Sequence, residues 1–294
     1  MLDLNRSEFR SAPRSLVWLA GLLEAEGTFL KPPPSGPTCP VISCRMTDRD
    51  VVDRVADLFG TGTVSIDKGR YRTEYATTVK GSRAVVLMKE LQTLMGERRS
   101  AAIEAAIRDF SPPKRKLTYA NAEQIRNRHR RGESVSSLSR DFGVARQTIH
   151  PILRNQIYLA PALTPWGETP GFLRRIDGLP DGTSLHEFLW LAGWLEGEGS
   201  FLAPPPSDPR RPRIQAVSRD RDVVYEAARL LDIKPLHRRD PRNPSWSPLW
   251  SVMKAGDRAR TLMKALRSLM GQRRCAQIEF ALQSSAEQVH AATA

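Results

Sequence analysis

The sequence predicts an α+β protein: two pseudo-symmetric αββαββα half-domains with an all-α insert between them. Three observations predict it. First, WLAGLLEAEGTFLKPPPSGP (Trp18 to Pro37) and WLAGWLEGEGSFLAPPPSDP (Trp190 to Pro209) agree at fifteen of twenty positions. Second, the match continues in order through DRDVV at Asp48 and Asp220, LMK at Leu87 and Leu262, Arg98-Arg99 and Arg273-Arg274, and Ile103-Glu104 and Ile278-Glu279. Chance does not order that many matches, so the chain carries two copies of one folding unit. Third, the copies are separated by polar, helix-forming sequence with its own apolar spacing. The expected boundaries are 10–112 and 185–285 for the halves, 115–158 for the insert and 159–184 for a linker.

Each half opens with an apolar helix, Leu16 to Glu26 or Phe188 to Glu198, that stops at Gly27 or Gly199, a residue type suited to a left-handed helix end. A short strand and a proline-rich loop follow, since proline cannot continue a helix. The second strand spans Val41 to Met46, or Arg213 to Ser218. Asp48 or Asp220 then caps a helix running to Leu58 or Leu231. In the first half, two more strands flank the turn signal Lys68-Gly69-Arg70. Two closing helices end the half, the last from Arg98 to Asp109. Helices and antiparallel strands in this order pack the helices on one sheet face and leave the other free.

The insert reads as three helices over 119–131, 134–142 and 145–155, with Gly132 and Gly143 as stops and Ser134 as a cap. Val135, Leu138, Phe142, Val144, Ile149 and Leu153 form its expected core. It resembles a resolvase-type helix-turn-helix, which implies that Arg146, Gln147 and His150 of the third helix approach base edges. Pro151 departs from that pattern and is expected to kink the third helix. The linker is rich in proline and glycine.

The chain has 294 residues and a formal net charge of +13. Such an excess, spread through structured sequence, points to a polyanion, because cationic side chains release the counterions condensed on phosphates. No apolar stretch is long enough for a membrane span, and no signal segment opens the chain, so an intracellular, cytoplasmic protein is expected. Cys39, Cys44 and Cys275 are odd in number and lack metal-site spacing, which argues against a disulfide framework or zinc.

Three features of LAGLLEAEG and LAGWLEGEG are wrong for a plain core helix. Glycine at Gly21, Gly193 and Gly197 costs about 1 kcal/mol relative to alanine, a loss that is sensible if two helix backbones must approach closely. Glu26 and Glu198 end their helices, where the macrodipole disfavours negative charge. The placement also occurs twice in a strongly basic chain. Packed about a pseudo-two-fold axis, the two glutamates converge, and two such charges at about 4 Å repel by roughly 4 kcal/mol at an effective dielectric of 20. One carboxylate must protonate or a cation must bind. Mg²⁺ (or Mn²⁺), with its preference for oxygen ligands and phosphates, answers that need and leads to phosphodiester hydrolysis.

On these motifs the chain resembles the LAGLIDADG homing endonucleases of the single-chain, two-motif type. The resemblance covers both halves and excludes the insert. It implies that Glu26 and Glu198 bind the metals, that the sheets form saddles along the major groove, and that a monomer cuts both strands of a long double-stranded DNA site, leaving short 3′ overhangs. Glutamate replaces the family's more usual aspartate in both acidic slots. Glu24 and Glu196, in the earlier slot, are expected to be structural. Arg98 and Arg273 fall where the family often has lysine. Arginine cannot act as a base but stabilises phosphoryl charge. Asp48 and Asp220 border the centre, as N-caps first and water-organising groups second.

Alternate residues on the free sheet face are the expected DNA contacts: Ser43, Arg45, Arg70, Arg72, Arg213, Gln215 and Arg219. Two rival functions use the same scaffold, a non-catalytic transcriptional regulator and an intron RNA maturase. Retention of both glutamates favours catalysis over the first, and a DNA-type insert leans away from the second. An intein is not expected, for want of a terminal His-Asn pair.

Overall fold

The computed structural model describes residues 12–31, 39–67, 69, 72–108, 110, 117–155, 157–158, 178–205, 207–208, 211–238 and 248–293. The first half runs α1 (Arg14–Glu26), β1 (Gly27–Leu30), β2 (Val41–Met46), α2 (Arg49–Phe59), β3 (Val64–Ile66), β4 (Glu74–Lys80), α3 (Ser82–Gln92) and α4 (Glu97–Ile107). The insert is α5 (Tyr119–Arg130), α6 (Val135–Asp141) and α7 (Arg146–Leu153). The second half repeats the first: α8 (Leu185–Glu198), β5 (Gly199–Leu202), β6 (Arg213–Ser218), α9 (Arg221–Leu230), β7 (Leu236–Arg238), β8 (Leu249–Ala255), α10 (Asp257–Leu266), a 3₁₀ turn and α11 (Gln272–Thr293). The architecture is α+β in two matched halves. Each half closes with two helices, as its sequence indicates, so its full order is αββαββαα with both closing helices counted.

Each half holds one antiparallel four-stranded sheet, ordered β1-β2-β4-β3 and β5-β6-β8-β7. On β2, Ile42, Cys44 and Met46 are buried while Val41, Ser43 and Arg45 are not. That alternation puts one sheet face on the core and leaves the other open. A single apolar core spans both halves and centres on α1 and α8, with Trp18, Trp190 and Trp194 fully buried. Ser184 caps α8 through a reciprocal box: its hydroxyl accepts from the Glu187 amide at 3.2 Å, and the Glu187 carboxylate accepts from the Ser184 amide at 2.6 Å.

The insert has a separate small core of Leu117, Ala122, Ile125, Leu138, Ile149 and Ile152, with Val135, Phe142, Val144 and Leu153 packed at its edge. The expected caps are in place. Ser134 accepts from the Ser137 amide, and Gly132 and Gly143 adopt left-handed conformations at φ 96° and 62°. Helix α7 continues through Pro151 to Leu153. Proline deletes one helical hydrogen bond there, in a helix of only eight residues. Most of the linker, 159–177, lies outside the described residues, as does Arg70.

Gly27 and Gly199 correct an expectation. Neither is left-handed: their φ values are −77° and −73°, in extended backbone. Each helix runs straight into its strand, and the glycine amide still donates to Leu23 or Leu195. A Cβ at Gly27 would stand 2.4 Å from the Leu23 carbonyl oxygen, and one at Gly199 would stand 2.3 Å from that of Leu195. Close approach, not handedness, demands glycine.

Candidate active site at the helix seam

Helices α1 and α8 lie side by side in the same direction, touching along the positions that the repeat matches. A Cβ on Gly21 would stand 2.1 Å from the Trp190 carbonyl oxygen, and one on Gly193 2.1 Å from that of Trp18. The approach is backbone to backbone, which only glycine permits. One turn on, a Cβ on Gly197 would fall 2.4 Å from the Ala25 Cβ and 3.0 Å from Glu26 Cγ. The seam has room for one methyl at that level, and the first half supplies it.

Just past this point the two helices deliver Glu26 and Glu198, both half-buried. The Glu198 carboxyl is pushed up to about 7, first by burial and then by the charges of Glu26 and Asp220, against the pull of Arg99 and Arg274. Burial also raises Glu26, opposed chiefly by Arg274 and Arg273. Each carboxyl is thus short of solvent, and the charge of Glu26 adds to the rise at Glu198. Glu26 opens on a cavity of about 260 Å³ that Arg45, Asp48, Glu74 and Arg273 also line.

Around the pair the halves exchange contacts. Arg273 of the second half grips Asp48 of the first, with Nε 2.7 Å from Oδ1 and Nη2 2.6 Å from Oδ2. Arg98 of the first half grips Asp220 of the second at 2.5 and 2.6 Å. These are bidentate, charge-assisted pairs. They correct the reading of Asp48 and Asp220 as side-chain N-caps. Both occupy the N-cap position, yet neither side chain bonds its own helix, because the arginine fork across the seam takes the carboxylate. Arg98 and Arg273 sit beside the glutamates, as expected for that slot, with one edge engaged by aspartate.

Sequence reading missed a further layer. Asp50 accepts from the Gln272 amide at 2.7 Å and Asp222 from the Glu97 amide at 2.8 Å, so each half caps the closing helix of the other. Glu24 accepts from the Gly96 amide and Glu196 from the Gly271 amide, both at 2.7 Å. Burial lifts Glu24 to about 7 and raises Glu196, which fits their expected structural position. Arg99 donates to the carbonyls of Glu24 and Ala25, and Arg274 to those of Glu196 and Gly197. A cation there satisfies the carbonyls left open at a helix C-terminus and offsets the negative end of its dipole. The doubled Arg98-Arg99 and Arg273-Arg274 was the available signal: the first arginine of each pair reaches across the seam, the second holds the helix end.

The remaining candidates divide. Ser43, Arg45, Arg213 and Gln215 stand on the open sheet faces, while Arg72 and Arg219 are exposed beside them. Arg45 pairs with Glu74 at 2.7 Å. Arg146, Gln147 and His150 are exposed on α7.

In both halves the chain resembles the LAGLIDADG homing endonucleases. Among solved structures, the LAGLIDADG homing endonuclease I-LtrWI bound to target DNA is similar at 11% identity, over 94% of this chain and 91% of that one, with a TM-score of 0.43. I-SmaMI bound to cleaved DNA is similar at 13% identity, over 94% and 90%, with a TM-score of 0.43. I-GzeII in complex with its DNA target is similar at 10% identity, over 91% and 97%, with a TM-score of 0.37. No protein-family model and no curated protein matches the sequence. Among the described residues, no helix is long and apolar enough to cross a membrane, and no group of three or more His, Cys, Asp or Glu forms a candidate metal site.

Proposed function

We propose that the chain is a monomeric, sequence-specific, divalent-metal-dependent DNA endonuclease that cuts both strands of a long target. The observation that carries this reading is the convergence of Glu26 and Glu198 at two helix ends, each raised by burial and Glu198 also by its neighbour's charge. Two desolvated carboxylates brought together call for a proton or a counter-charge, and a metal ion supplies the second. The donors are hard oxygens and only two in number, which suits Mg²⁺ or Mn²⁺ with water and phosphate completing the shell. Such an ion, when bound, supplies Lewis-acid stabilisation of phosphoryl charge.

The chain's own groups do the rest. Arg99 and Arg274 fix the helix ends, so the glutamates stay in register with one another. Asp48 and Asp220 hold Arg273 and Arg98 beside the carboxylates with donors left for phosphate oxygens, and arginine there stabilises charge without moving a proton. The open sheet faces present Ser43, Arg45, Arg213 and Gln215 to the groove. Arg146, Gln147 and His150 of the insert extend the contact, as the third helix of a helix-turn-helix does. Both halves lie in one chain, so no second copy is required.

The test is incubation of the purified chain with randomised duplexes, with and without Mg²⁺ or Mn²⁺, followed by sequencing of the cut ends. Metal-dependent cutting at one sequence is expected, with Glu26→Gln losing cutting and retaining binding. Tight binding without cutting under any divalent ion would identify a regulator instead.

A further inference from the structure

Ten large apolar side chains stand exposed among the described residues, and six of them share one setting. These are Leu30 (48% exposed), Val64 (62%), Leu202 (40%), Leu236 (55%), Leu249 (37%) and Met253 (44%). Strand register puts all six on the open sheet faces. Leu30 lies opposite Val41, which lies opposite Lys80, and Val64 lies opposite Ala76, which lies opposite Arg45. In the second sheet, Leu202 lies opposite Arg213 and Met253 opposite Gln215. Leu236 lies opposite Ser251, and Leu249 is two residues before it on the same face.

Single exposed aliphatics need no explanation. These do, because Leu30 and Leu202 occupy the same position in the repeat, as do Val64 and Leu236. Both sheets therefore interleave apolar side chains with Arg45, Lys80, Arg213 and Gln215. A second copy of the chain is a poor occupant, since like charges would meet face to face. The pattern suits a polyanion that also displays isolated apolar groups. In the major groove one base-edge group is apolar, the thymine C5-methyl.

We propose that these side chains read thymine methyls, making the target A·T-rich where the sheets contact it. The inference rests on the DNA-cutting function proposed above. Met253 and Leu249 replace Thr78 and Glu74 of the first sheet, so the half-site under the second sheet carries the larger methyl share.

The test uses two randomised duplex pools, identical except that uracil replaces thymine in one. Uracil keeps the pairing and the hydrogen-bonding edge and lacks only the methyl. Binding of the full chain is measured with divalent ions withheld, and cutting with Mg²⁺. Selected sites are expected to be thymine-rich. Each uracil at a read position should weaken binding about fourfold, the effect of exposing one buried methyl-sized group. Leu30→Ser and Leu202→Ser leave the core untouched and should erase the thymine–uracil difference at their own positions only. Equal binding of thymine and uracil sites that are still cut overturns the methyl reading and leaves the endonuclease standing. Absence of any selected or cut duplex overturns both. Sedimentation showing a dimer that the two serine substitutions dissociate would make a second copy the occupant, and would also overturn the proposal.

Discussion

At the seam, Gly21 meets the Trp190 carbonyl as Gly193 meets that of Trp18, and Arg98 grips Asp220 as Arg273 grips Asp48. On the open sheet faces the copies have drifted: Thr78 stands where the second half has Met253, and Glu74 where it has Leu249. The same duplication produced both regions, so the difference reports what each must do. Seam positions answer to one another across the pseudo-axis, and a change on one side has to suit the other. The sheet faces answer to something outside the chain that need not be symmetric. Machinery at the centre is shared, while recognition at the periphery is free to differ between halves.

The comparison can be broken first at the glycines. Gly21→Val or Gly193→Val forces side-chain atoms into the facing backbone, which cannot yield as a flexible side chain would. A loss of about 3 kcal/mol or more is expected, a large share of the about 5–15 kcal/mol that a folded domain has, and it should move the denaturant midpoint well down. A normal melt for either variant would dismiss the close-packed seam.

The second test separates the partners of one latch. Arg273→Ala leaves Asp48 unpaired at 7% side-chain exposure, whereas Asp48→Ala leaves Arg273, 38% exposed, able to turn to water. The arginine variant should lose about 1–3 kcal/mol and the aspartate variant less. Equal losses in urea titrations would mean that burial does not govern the pair.

The third concerns pH. Glu24 and Glu198 both titrate near 7 in the folded protein, above their ordinary 4.5. A raised carboxyl contributes stability that is full below the unfolded pKa and lost as pH rises through the folded one. Without metal, the melting temperature should fall from pH 5 to pH 8. Glu198→Gln is neutral throughout and should flatten that slope and melt higher at pH 8. An unchanged slope would show that Glu198 does not carry the cost.

The smallest effect is the most diagnostic of symmetry. Gly197→Ala alone sets two Cβ atoms against each other and should lower stability by about 1 kcal/mol or more. Adding Ala25→Gly moves the single methyl across the axis and should restore most of the loss, because the helix penalty of glycine relieved at position 197 reappears at position 25 and the two cancel. Purely additive losses would show that the two positions do not meet.

Much of this was legible in the sequence. The duplication, the two helices with misplaced glutamates and glycines, and the strands at Val41–Met46 and Arg213–Ser218 were all readable, because periodicity and repeat report local structure directly. The cross-seam network was not. Asp48 stands at a helix start in both readings, and only the packing reveals that Arg273 occupies its carboxylate. The burial of Glu24 and the capping of Glu97 by Asp222 likewise depend on residues more than seventy positions apart, and no local pattern encodes which distant amide a carboxylate will find. Gly27 misled for a related reason: glycine is demanded both by left-handed backbone and by close approach, and the letter alone does not say which.

The exchange of caps between halves has one more consequence. Helix α4 begins on an aspartate of the second half, and α11 on an aspartate of the first. Neither half is a finished object by itself, so for folding the covalent link between them raises the effective concentration of one for the other. Two fragments divided within that segment and mixed at high enough concentration would be expected to reassemble into a working whole.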